Sequence, residues 1–110
     1  MSGAWIKKIG EALAPLPMPP TAKWPDGEPY QCLLNEPGAQ ILVFAPRKTD
    51  HQTPHDRNEA YVAVSGSATL EIKGVAYPIE AGDVAWIPKN IPHRFTDISD
   101  DFVTWVMFFG

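Results

Sequence analysis

The chain has 110 residues, 45% hydrophobic and 20% charged, the profile of one ordinary domain that buries a core without a covalent staple. A formal net charge of −4, with no basic patch, removes the electrostatic footprint of a nucleic-acid binder. One cysteine, Cys32, excludes a disulfide framework and a cysteine-based zinc module, and 12 prolines exclude a long helical bundle, since an interior proline costs a helix about 3 kcal/mol.

Trp5, Ile6, Ile9 and Leu13 recur at helical spacing, so residues 4–14 are expected to form a short helix that Pro15 ends. Its expected role is to pack on the main body or on a second subunit. No uninterrupted apolar region follows Lys7 and Lys8, and Ile41–Ala45 is too short to span a bilayer. The cytoplasm is therefore the expected compartment, with no membrane partner. Residues 15–29 hold six prolines and should form an extended, turn-rich arm. Trp24 and Tyr30 imply that the arm lies along an apolar surface.

From residue 30 the pattern changes to short strands. They are expected near Tyr30–Leu34, Gln40–Ala45, Glu59–Val64, Thr69–Ile72, Val75–Ile79, Val84–Ile87, His93–Thr96 and Phe102–Phe108. Pro37-Gly38, Ser65-Gly66-Ser67, Lys73-Gly74, Ala81-Gly82-Asp83 and Ser99-Asp100-Asp101 punctuate them. Such spacing reads as an all-β sandwich or barrel over residues 30–110, preceded by a helix and arm over residues 1–29.

All three histidines lie in the β region. His51, His55 and Glu59 are spaced by four, and in an extended segment all three face one side. His93 follows a Pro-Lys-Asn-Ile-Pro turn. Imidazoles and a carboxylate converging inside a barrel make a divalent-metal site. Strand alternation turns Tyr61 and Ala63 inward with Glu59. Tyr61 is a candidate catalytic proton donor, or else a core aromatic with its hydroxyl at the barrel mouth. Arg57 shares the parity of His55 and Glu59, and an inward arginine favours a carboxylate or phosphate substrate; a solvent-facing loop arginine is the alternative. Phe95, Phe102, Trp105 and Phe109 read as barrel core, and Cys32 as a small buried apolar residue.

Two gapped motifs, His55-x3-Glu59-x6-Gly66 and Gly82-x5-Pro88-x-Asn90-x2-His93-x3-Asp97, lie in order with 15 residues between Gly66 and Gly82. In them the chain resembles the cupin superfamily of small double-sheet jelly-roll barrels, over about residues 40–108. The resemblance implies a double-stranded β-helix barrel and one divalent ion, Fe, Mn, Zn or Ni, on His55, Glu59 and His93. The family's first histidine column falls on Thr53, so the fourth ligand is His51 or Gln52, or is absent. Asn90 stands where the family has glycine, and Asp97 where it has asparagine; asparagine tolerates the positive φ the turn needs.

The resemblance implies a metal-dependent enzyme of dioxygenase or isomerase type acting on a small molecule, with a non-catalytic binding or sensor barrel, or a barrel that has lost its metal, as alternatives. A homodimer is expected, with the helix and arm at its interface.

Overall fold

The computed structural model describes residues 3–110. One short helix, α1 (Ile9–Leu13), precedes eight strands: β1 (Tyr30–Glu36), β2 (Ala39–Phe44), β3 (Asn58–Ser65), β4 (Ser67–Ile72), β5 (Val75–Glu80), β6 (Val84–Ile87), β7 (His93–Thr96) and β8 (Val103–Phe109). Five strands form one sheet in the order β1-β2-β8-β3-β6, and three form a second in the order β5-β4-β7. Every pairing is antiparallel.

The expected alternation holds along β3, where Glu59, Tyr61 and Ala63 are buried and their neighbours are partly exposed. These inward residues meet Leu70, Ile79, Ile87, Phe95, Phe102, Val106 and Phe108 in the core between the sheets. Phe109 belongs elsewhere: it is exposed, and its ring lies 5.9 Å from that of exposed Trp86. The reason is parity, since Val106 and Phe108 take the inward positions of β8. Trp105 packs in a separate cluster with Val43, Val103 and the helix residues Ala12, Ile9 and Leu13.

The expected helix over 4–14 shrinks to Ile9–Leu13. Lys8, its N-cap, offers no side-chain hydrogen bond, and Trp5 and Ile6 are exposed. Without a cap the first backbone N–H groups are better satisfied by water than by a longer helix. Gln31 Nε2 donates to the Ala12 carbonyl at 3.2 Å, which helps hold the helix to its own barrel. Cys32 is exposed rather than buried, because β1 is an edge strand whose register shifts between Cys32 and Leu34.

The arm lies on the barrel as its aromatics implied. Trp24 is buried, with its ring edge-on to Tyr30, Phe44 and His51 at 6.3, 6.1 and 5.2 Å between centroids. Met18 and Glu28 exchange backbone hydrogen bonds of 2.8 and 3.1 Å, which doubles the arm back on itself.

Two turns decide where the site residues arrive. Gly66 joins β3 to β4 at φ +69°, and a Cβ there would come within 2.7 Å of the Phe102 Cα and 2.5 Å of the Ser99 Oγ. Gly66→Ala is expected to cost at least about 2 kcal/mol, from the left-handed backbone and the clash together. Urea unfolding of the variant checks this. Asn90 takes φ 64°, the positive value expected of it, and its N–H donates to the His55 carbonyl at 2.6 Å. The loop that delivers His93 is thereby tied to the loop that carries His55.

Candidate metal centre

Glu59 projects inward from β3, and His93 enters from the start of β7 in the opposite sheet. Their side chains are about 2% and 1% exposed, and His93 Nε2 lies 2.9 Å from Glu59 Oε1. His55 approaches from the loop before β3, with Nε2 at 4.0 Å from Glu59 Oε2. One donor atom from each of the three residues lies within 4.8 Å of the others.

The chemistry of this group fits a cation. His93 Nδ1 lies 2.8 Å from the Ile91 carbonyl, an acceptor only, so Nδ1 carries the hydrogen. In the neutral imidazole Nε2 is then a bare lone pair facing a carboxylate oxygen. Glu59 Oε1 is buried, and among the described residues its close polar partner is this same nitrogen. Two lone pairs converging in a buried site are costly unless a proton or a metal ion lies between them.

The electrostatics follow the same pattern. Burial pushes His93 down, but the bond to Glu59, the Ile91 carbonyl and the charges of Glu59 and Asp50 outweigh it, and the pKa ends above the ordinary imidazole value. His55 is lowered, first by burial; Glu59 pulls it up, while His93, Lys23 and Arg57 push it further down.

The equal spacing of His51, His55 and Glu59 does not bring all three together. Residues 51–57 form no strand, so the rule that i and i+4 share a face does not apply. His51 is exposed and its ring stands against Trp24. Gln52 is the residue that faces the group: its Oε1 lies 3.4 Å from His55 Nε2 and accepts from the Tyr61 hydroxyl at 3.1 Å. The orientation of this amide is fixed chemically. Gln52 Nε2 donates to Asp50 Oδ2, and a carboxylate only accepts, so the amide oxygen must face His55.

Asp50 carried no expectation, yet it organises this loop. It is buried and accepts from the Gln52 backbone N–H and the Phe95 backbone N–H, both at 2.9 Å. The first bond is an Asx turn, a local signal that Asp50-His51-Gln52 carries in its sequence. The second bond joins the loop to β7, which no local pattern reveals.

Tyr61 is completely buried. Its hydroxyl lies 3.1 Å from His93 Nε2 as well as from Gln52, and it is not among the residues that line the cavity beside the group. Burial, with Glu59 nearby, raises its pKa well above 10, so it stays protonated. This places Tyr61 behind the group, where its hydroxyl orients Gln52.

In front of the group lies a cavity of about 260 Å³. His55, Glu59 and Gln52 line its inner end, and Trp24, Tyr30, Leu42, Phe44, Val106 and Phe108 form its apolar wall. Tyr30 donates to Glu28 Oε2 at 2.8 Å, and burial and that bond raise its pKa to about 12.

Comparison with known proteins agrees with this architecture. A family model described as a Cupin domain matches residues 40–109. An uncharacterized protein of Streptomyces coelicolor is 35% identical over 81 residues, which cover 72% of this chain and 77% of that protein. An RmlC-like cupin family protein with a double-stranded β-helix fold, from Methanocaldococcus jannaschii, is 18% identical at a TM-score of 0.65, covering 73% of this chain and 77% of that one. A Cupin 2 conserved barrel domain protein from Salinispora arenicola is 25% identical at a TM-score of 0.60, covering 74% of each chain.

Proposed function

Because this chain belongs to the cupin domain family, we propose that it is a metal-dependent enzyme in which His55, Glu59 and His93 hold one divalent ion at the inner end of the cavity. The Gln52 amide oxygen is its fourth ligand. The observation that carries this reading is the buried Glu59 Oε1 set 2.9 Å from His93 Nε2, where a proton or a cation must lie between them, with the other ring nitrogen of His93 committed to Ile91. Two imidazoles, a carboxylate and an amide oxygen suit Fe, Mn, Zn or Ni, and leave coordination positions open.

Such an ion supplies Lewis-acid polarisation of a substrate oxygen, or redox chemistry if it is iron, which suits an isomerase or a dioxygenase. The chain's own residues hold and screen the site. Ile91 sets the tautomer of His93, Asp50 and Tyr61 aim Gln52, and the apolar wall keeps water from a bound small molecule. A second reading, a non-catalytic ligand-binding barrel, is favoured by one observation: Tyr61 is set behind the group rather than on the cavity. Turnover of a bound small molecule separates the two.

The metal is tested by calorimetric titration of chelator-treated protein with zinc, manganese or ferrous iron. One ion per chain is expected, and no saturable binding of any of them overturns the proposal. The pH dependence has a definite sign. Metal and proton compete for His93 Nε2, whose pKa is raised, whereas His55, lowered, is already deprotonated. Between those two pKa values the affinity is expected to rise about tenfold per pH unit, with release of about one proton per ion. Titration in buffers of different ionisation enthalpy counts that proton.

A further inference from the structure

The lining of the cavity carries charge of both signs. Among the described residues Glu59 is the only carboxylate that lines it, together with His55 of the metal group. Two cations line the same cavity: Arg57, in the loop just before β3, and Lys23, from the arm. Arg57 is held in place. Its Nη2 donates to Gln40 Oε1 at 2.7 Å, and its guanidinium lies 4.6 Å from the centre of the Phe108 ring. Stacking and one hydrogen bond fix the plane of the fork while the other donors stay available. Lys23 Nζ donates to Thr53 Oγ1 at 3.3 Å. Among the described residues neither cation forms an ion pair with a carboxylate.

A pair of uncompensated cations over an apolar chamber is a recognition element for a negative charge. We propose that the ligand of this cavity is a small organic oxyanion, a carboxylate or a phosphate ester, with a flat or branched apolar body. Its anionic group is held by Arg57 and Lys23, its body by Trp24, Phe44 and Phe108, and a further donor atom by the neighbouring metal group. The last assignment rests on the metal reading above; the charge preference does not. A cavity of about 260 Å³ suits a ligand at the small end of the usual range. Lys23 and Trp24 lie outside residues 40–109, so the arm adds charge and shape that the matched family domain does not itself carry.

Phenylacetate and phenyl phosphate are the probes, with phenylacetamide as the neutral analogue. Binding is measured by calorimetry on chelator-treated and on zinc-loaded full-length protein. At least one anion is expected to bind about tenfold or more tightly than the amide. The anion that binds more tightly identifies carboxylate or phosphate as the natural group. Arg57→Gln is expected to lower anion affinity about tenfold while leaving amide binding unchanged, and Arg57→Lys to recover part of the loss. Lys23→Gln is expected to give a smaller drop and a weaker salt dependence. If Arg57→Gln does not fold by circular dichroism, Lys23→Gln and the wild-type salt dependence decide the question. Equal binding of the amide, no effect of a folded Arg57→Gln variant, or no binding of either anion at millimolar concentration overturns the proposal. Zinc titration of the same samples keeps the two readings apart. Anion selectivity without zinc binding removes the metal and leaves this proposal standing; zinc binding without selectivity does the reverse.

Discussion

Replacing His93 by leucine is expected to lower the affinity for a divalent ion by about a hundredfold or more and to destabilise the metal-free protein. The first effect follows from loss of a ligand that Ile91 aims at Glu59. The second follows from what is left behind. Glu59 is about 2% exposed, and without His93 its carboxylate keeps only the more distant, partly exposed His55. Removing one partner of a buried pair costs about 3–5 kcal/mol, because the other charge stays desolvated. Removing both is far less damaging, so His93→Leu combined with Glu59→Leu is expected to recover most of that loss without recovering the metal. Urea unfolding and calorimetric titration of the three variants read the two effects separately. An unchanged affinity in His93→Leu places the ion elsewhere; an unchanged stability means that Glu59 finds another counter-group.

Trp24→Ala is expected to be the most damaging change in the arm. The indole is buried and packs edge-on against three rings, among them Phe44 of the central core. Truncating a buried aromatic costs about 3–5 kcal/mol. The same ring walls the cavity, so ligand binding should weaken with stability. Urea unfolding measures the cost. Limited proteolysis should then cut within residues 15–29, since Trp24 is the aromatic anchor that seats the arm on the barrel. A variant that melts like the wild type and resists cleavage shows the arm anchored by other residues.

Much of the site follows from strand alternation and turn chemistry, which are local. Glu59 and Tyr61 face inward because side chains two apart on a strand share a face, and β3 is regular where they lie. Asn90 and Gly66 occupy positions with positive φ, as their residue types allow. The same reasoning misplaced His51. It assumed an extended segment through residues 51–57, where Pro54 and the Asp50 turn make a loop instead. It also buried Cys32 and Phe109, because parity alone does not tell an edge strand or a strand end from a covered one.

By itself the sequence determined the β-rich class, the positions of the strands along the chain, and the inward facing of Glu59 beside a histidine delivered by a turn. These rest on periods of two and on backbone preferences that act within a few residues. Only the tertiary structure decided that Gln52 rather than His51 faces the group, that Tyr61 stands behind it, and that Lys23 and Trp24 complete the cavity. Those outcomes depend on contacts such as Asp50 with Phe95 and Lys23 with Thr53, 45 and 30 residues apart. Contacts at that separation exist only after the two sheets have closed on each other, and the surface they bury together, not any local pattern, selects them.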